Sequence, residues 1–310
     1  MIETVALLKP EETGLASSLY AELSGGDTPS LSYRTGVKED GLNLHRVIDP
    51  GSEKELIQAA DFRGLLYQPE SIHVPDPIYA IYRDIRPENL ADEIEHRGLR
   101  YALAMLRDGT IRETEEWVRT RGHITAPAPG TNLRYPEVYE ILFGNGLLYL
   151  QNGTGDWVND TVVIPLSVGD KAVIAPGWAS MVINVGARPL IIGAWCVNDA
   201  VPAETESGGT PMPGESEPSQ LSGPAELLER GGMAHYVLRD TEGLPYYVAN
   251  PKYTNVPMPR TILPKEMPDW GLSRATPLLT AFHENPDYFR FLLRPQDYET
   301  VWKALYDVTA

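Results

Sequence analysis

Between Pro77 and Pro251 the apolar residues of this chain fall into short, often alternating runs. They are Ile78 to Ile81, Tyr101 to Leu106, Trp117 to Arg119, Tyr139 to Phe143, Leu147 to Gln151, Thr161 to Pro165, Lys171 to Ile174, Ala179 to Val185 and Leu190 to Cys196. Each run is strand-length. Turn-forming groups separate them, among them Arg107-Asp108-Gly109, Gly144-Asn145-Gly146, Gly153-Thr154-Gly155 and Val185-Gly186-Ala187-Arg188-Pro189, where glycine and asparagine accept backbone conformations that strand residues avoid. Strand-like text resumes at Ala234 to Leu238 and Pro245 to Val248. Many short strands at this spacing predict a β-sandwich or barrel rather than a parallel sheet layered with helices.

The pattern changes on either side of this block. Residues 1–74 contain a helical candidate at Glu11 to Leu23, a break at Gly25 to Ser30 and a second helical stretch near Glu53 to Ala60. Their apolar residues are too sparse for a sizeable core, so they read as an N-terminal extension that packs on something larger. Residues 75–253 form the strand-rich domain. Within it, Asn198 to Pro224 is rich in Gly, Pro, Ser, Thr and Glu and reads as a mobile loop rather than a boundary. Residues 254–310 open with prolines, and the amphipathic run Gln296 to Tyr306 predicts a final helix.

Composition narrows the class of partner. The chain has 310 residues, 42% of them hydrophobic, and a net charge of −17. That charge repels phosphate backbones and anionic lipid, so neither nucleic acid nor a membrane is expected as a partner. A single cysteine, Cys196, excludes an internal disulfide, and its apolar strand predicts a buried, inert thiol. With no apolar run long enough to span a bilayer and no basic-then-apolar N-terminus, a cytoplasmic protein is expected.

Two segments carry the candidate chemistry. The first runs Gly122-His123-Ile124-Thr125, then a proline-rich stretch, then Glu137-Val138-Tyr139-Glu140-Ile141-Leu142-Phe143-Gly144; the second runs from Gly169-Asp170 through Pro176-Gly177-Trp178-Ala179-Ser180 to Asn184. These resemble the two sequence boxes of a cupin barrel. With Pro77-Ile78-Tyr79-Ala80-Ile81-Tyr82, Tyr101 to Leu106, Arg119-Thr120-Arg121-Gly122-His123, Asn184-Val185-Gly186 and Asn250-Pro251, residues 77–252 resemble the cupin-type phosphoglucose (glucose-6-phosphate) isomerases. The resemblance implies a double-stranded β-helix, or jelly-roll barrel. It also implies sugar-phosphate isomerisation beside a divalent metal, a Glu near that metal at Glu137, and phosphate binding at Thr120 and Gly122.

The ligands themselves have changed. Where metal-binding cupins place His-x-His, Glu and a further His, this chain has His123, Thr125, Glu137 and Ser180. A neutral hydroxyl is a poor substitute for imidazole, and catalytic transition metals usually take three protein ligands. The expectation is therefore no cofactor, with a divalent metal as the alternative at the remnant positions His123 and Glu137. The stretch Ala126 to Pro136 is longer than in the family, and Gly177 replaces a Tyr that the family has before Trp178. His45, His73, His96, His235 and His283 form no metal-ligand spacing.

The residues predict an all-β cupin barrel with helical N- and C-terminal extensions. Glu137 and His123 are the candidate catalytic acid/base pair. Thr120, Gly122, Thr125, Tyr139, Ser180, Tyr79 and Tyr82 are the candidate substrate contacts, with Arg119, Arg121 and Arg134 placed to attract an anion. The function expected is proton-transfer isomerisation of a small polar or phosphorylated substrate. The alternatives are a metal-independent cyclase, isomerase or dehydratase of specialised metabolism, and a non-catalytic binding module. A homodimer remains open.

Overall fold

The computed structural model describes residues 53–68, 77–87, 89–111, 115–198 and 224–307. The expected helix at Glu11 to Leu23 and residues 199–223 of the expected loop lie outside them. The described residues form fourteen strands: β1 Glu53–Ile57, β2 Tyr79–Arg83, β3 Leu99–Leu106, β4 Thr110–Ile111, β5 Glu116–Trp117, β6 Glu137–Phe143, β7 Asn145–Thr154, β8 Trp157–Ser167, β9 Lys171–Ile174, β10 Ala179–Asn184, β11 Leu190–Val197, β12 His235–Arg239, β13 Pro245–Ala249 and β14 Arg260–Thr261. A large sheet has the order β1-β2-β3-β11-β6-β9, a second sheet the order β10-β7-β8-β14, and a third the order β13-β12-β5-β4. All pairings between them are antiparallel except β14 with β8. Every apolar run read from the sequence overlaps one of these strands, Trp117 to Arg119 only at Trp117.

Alternation fixes which side chains face inward. On β6, Glu137, Tyr139 and Ile141 share a face, and their neighbours across the ladders, Ala194 and Ile192 of β11 and Ala172 of β9, share it too. The opposite face of the large sheet carries the C-terminal helices α3 Leu278–Glu284 and α4 Arg290–Leu293, and α5 Glu299–Ala304 follows them; α1, Ala91–His96, and α2, Pro224–Glu229, precede them. Fully buried Trp195 of β11 stacks on Phe282 of α3 with centroids 4.6 Å apart, so a large aromatic surface anchors this layer. The second sheet turns Leu148, Leu150 and Val182 to the main core. Its other face packs Tyr149, Met181 and Ile183 against Trp117 and Val237 of the third sheet.

Two expectations are corrected. Glu53 to Ala60 is not a helix: it forms edge strand β1 and the start of a 3-10 turn, Ala59–Phe62. Over so few residues a helical period cannot be told from alternation, and Leu56 outside with Ile57 buried fits a strand on the free edge of β2. The last helix is shorter than Gln296 to Tyr306, because Pro295–Tyr298 forms a 3-10 turn and the α-helix begins at Glu299. No helix among the described residues is long and apolar enough to cross a membrane.

Candidate active site

The first box returns on itself. Segment 119–123 runs antiparallel to β10, with His123 N donating to Ser180 O at 3.0 Å and Ser180 N to His123 O at 2.9 Å. Gly122 permits the approach: its φ is +88°, and a Cβ there would lie 3.0 Å from the Met233 side chain. The long stretch after Thr125 is taken up by a hairpin excursion, closed by Ala128 N to Leu133 O at 2.8 Å and Tyr135 N to Ala126 O at 3.1 Å. Its added length therefore leaves Glu137 facing His123 across the barrel.

Four side chains meet there in one continuous chain. His123 Nε2 lies 2.8 Å from Glu137 Oε2. The Tyr139 hydroxyl donates to the same oxygen at 3.0 Å and lies 3.3 Å from Ser180 Oγ. Since the phenol proton is committed to the carboxylate, Ser180 is the donor in the last contact. Glu137, Tyr139 and Ser180 are buried, whereas the His123 side chain is 32% exposed, so the chain has one wet end and one dry end.

Charge settles how each member is held. Burial disfavours the His123 imidazolium, but the facing Glu137 carboxylate outweighs it by charge and hydrogen bond, with Arg83 opposing, and the pKa rises above its ordinary 6.5. Burial, then the Glu137 charge, pushes the Tyr139 phenol well above its usual range, which keeps it a proton donor. Cys196, inward like Ala194 on β11, is pushed up to about 12 by burial and by Glu137, so it is the inert thiol expected. A raised histidine pKa means that the ion pair's stabilising contribution is complete below the unfolded value and lost as pH rises through the folded one. Thermal melts across that window should therefore show wild type losing more stability with rising pH than His123→Gln; equal slopes would contradict the pairing.

The other predicted residues are placed as follows. Thr125 is buried, but its hydroxyl donates to Tyr135 O at 2.6 Å rather than to any member of the cluster. Thr120 Oγ1 accepts from Val182 N at 3.0 Å and so ties the box to β10. Tyr79 faces inward, accepts from Arg121 N at 3.5 Å and meets Phe62 edge-on. Tyr82, one residue out of phase with Tyr79, lies on the other face of β2, and the structure does not bring it to the cluster. Arg119 is fully buried, paired with Glu116 at 2.8 Å and donating to Leu65 O, and Arg134 donates to Thr125 O; both brace the fold. Sequence reasoning missed Arg83 and Glu55, which pair at 2.6 Å near the wet end. The period of β2, counted on from Tyr79 and Ile81, would have found Arg83.

The donors at the cluster do not fit a catalytic transition-metal site. They are one imidazole and one carboxylate already bound to each other, one hydroxyl spent on a backbone carbonyl and one bound to a phenol. Among the described residues no group of three or more His, Cys, Asp or Glu side chains converges as a metal site would require.

Two facing sheets that close over inward box residues define a cupin jelly-roll barrel, here with helices on its outer face. Residues 57–204 match the family described as Glucose-6-phosphate isomerase (GPI), so the resemblance drawn from the motifs holds over the barrel's main strands. No curated protein matches the chain. Among solved structures, the vicilin of Solanum melongena is 16% identical, with 43% of this chain and 31% of that one covered and a TM-score of 0.30. Procruciferin, an 11S globulin of Brassica napus, is 15% identical, with 42% and 28% covered and a TM-score of 0.28. The chain thus spans less than a third of either structure's length.

Proposed function

We propose that this GPI-like cupin is a proton-transfer isomerase that acts on a small polar or phosphorylated hydroxy-carbonyl compound without a resident metal. The observation that carries the reading is the Ser180–Tyr139–Glu137–His123 chain, a buried acid/base network with its His123 end open to solvent. In an aldose–ketose isomerisation a base removes the proton from the carbon next to the carbonyl and the electrons move onto the carbonyl oxygen, which takes a proton. Reprotonation of the other carbon, with loss of the hydroxyl proton, completes the exchange. Glu137 holds His123 in one orientation and stabilises its charged form, which lets the imidazole accept and return that proton. The Tyr139 phenol and Ser180 hydroxyl keep the carboxylate in place.

The test is an NMR assay for interconversion of glucose 6-phosphate and fructose 6-phosphate, followed by other hydroxy-aldehydes and hydroxy-ketones. Interconversion of any of these supports the reading; inertness towards all of them favours the binding-module alternative. Elemental analysis of the purified protein should find well under one equivalent of iron, zinc, manganese or nickel, because hydroxyls in place of two imidazoles weaken binding. One tightly held metal per chain would overturn the metal-free part and make Glu137 and His123 its ligands. Ser180→Ala should change turnover far less than any change at Glu137, since Ser180 touches the carboxylate only through Tyr139.

A further inference from the structure

The hairpin excursion after Thr125 borders a cavity of about 210 Å³ that the acid/base cluster does not use. Asn132 and Leu133 line it from the hairpin, Asn152 and Thr154 from the β7–β8 turn, and Pro176 and Gly177 from the loop before β10. Ile124 forms a further wall, and it packs with Leu147 and Tyr149 on the face of the second sheet turned away from the main core. None of Ser180, Tyr139, Glu137 and His123 is in the lining. The space exceeds that of a single water and falls short of the roughly 300–1,000 Å³ of sites for drug-sized ligands. It suits one compact molecule.

Two backbone features shape the cavity. A β-bulge between Asn152 and Gly153 interrupts the β7–β8 ladder, and bulges of this kind re-aim side chains beside sites. Gly177 has a φ of +81°, and a Cβ placed there would meet nothing within 4 Å, so this wall is open. The hairpin is the stretch that exceeds the family's length, which makes the cavity a feature of this chain rather than the family's substrate site.

The lining selects by hydrogen bonding more than by charge. Among the described residues neither the Asn152 amide nor the Thr154 hydroxyl has a hydrogen-bond partner, and both groups donate and accept, as the hydroxyls of a ligand do. Ile124, Leu133 and Pro176 offer apolar surface to its C–H groups. No carboxylate lines the cavity among the described residues, and its one lining cation, Arg134, is buried and donates to Thr125 O. The net charge of −17 further disfavours an anion. We propose that this cavity is a second binding site, which takes a compact neutral polyol through Asn152 and Thr154 against the apolar wall. The site lies outside the acid/base cluster and does not depend on the isomerase reading.

The test is NMR titration of the isotope-labelled full chain with myo-inositol, which has neither a carbonyl nor a phosphate for the cluster to act on, and separately with inorganic phosphate. Inositol should move the backbone amides of Asn152, Thr154 and Gly177 and the side-chain amide of Asn152 along one binding curve, and leave those of His123 and Glu137 in place. The double change Asn152→Ala, Thr154→Ala should weaken inositol binding by on the order of tenfold, since two hydrogen bonds are lost, whereas Glu137→Gln should keep wild-type affinity. If the double variant does not fold, Thr154→Ala decides: Thr154 is exposed at the end of β7, and its change should weaken binding several-fold. Absence of inositol shifts at these amides, shifts centred on His123 and Glu137, tighter binding of phosphate at the same amides, or wild-type affinity in the cavity variants would each overturn the proposal.

Discussion

Glu137→Gln is expected to lower turnover by on the order of 10²–10⁴-fold, the usual contribution of a positioned proton-transfer group, while the melting temperature stays near that of wild type. The amide keeps the size of the carboxyl and still accepts the Tyr139 hydroxyl, so the barrel wall is preserved. What disappears is the charge that opposes burial and holds the His123 proton. The same substitution should bring the His123 pKa down, which NMR titration of the ring would detect. Full activity with an unchanged melting temperature would remove Glu137 from the chemistry and leave the binding-module reading or another base in its place.

The second large effect concerns stability. Glu140 Oε1 lies 3.0 Å from Lys171 Nζ with both side chains 3% exposed. Glu140 Oε2 also accepts Leu278 N at 2.9 Å, and Lys171 donates to Gly169 O at 2.9 Å. This one pair joins β6 to β9 and fastens the start of α3 to the outer face of the large sheet. Burial raises the Glu140 pKa despite the lysine, so the pairing does not fully repay desolvation. Stability linked to this group is greatest below its unfolded pKa and falls as pH rises through the folded one. Glu140→Ala should therefore cost about 3–5 kcal/mol by stranding the buried ammonium, whereas a matched Glu140→Leu, Lys171→Met double change should cost markedly less, leaving only the Leu278 N–H without its acceptor. Denaturant unfolding of the three proteins checks this, and a single variant as stable as wild type would contradict the clamp.

Much of the architecture was legible in the sequence because strand alternation and turn residues are local signals. The runs from Tyr101 to Leu106 and from Leu190 to Cys196 became β3 and β11 for that reason. Glu53 to Ala60 was not legible: its strand identity comes from the open edge of β2, a partner distant in sequence. At the site, box spacing brought His123, Glu137 and Ser180 together, and the Ser180 bridge to His123 gives that spacing its physical meaning. Residue type alone could not show that Thr125 and Thr120 would spend their hydroxyls on backbone groups. Nor could it assign Tyr82 to the other face without the phase of β2. The link from Tyr139 to both Glu137 and Ser180 spans two sheets and becomes visible only once they face each other.

The most direct test of the acid/base cluster is solvent isotope incorporation: the protein is incubated with glucose 6-phosphate or fructose 6-phosphate in deuterium oxide, and deuterium at the exchanging carbon is followed by NMR. Proton transfer through His123 and Glu137 predicts that deuterium enters substrate and product, and that Glu137→Gln abolishes this incorporation in proportion to turnover. Conversion with complete retention of the original hydrogen, or undiminished incorporation by Glu137→Gln, would contradict it.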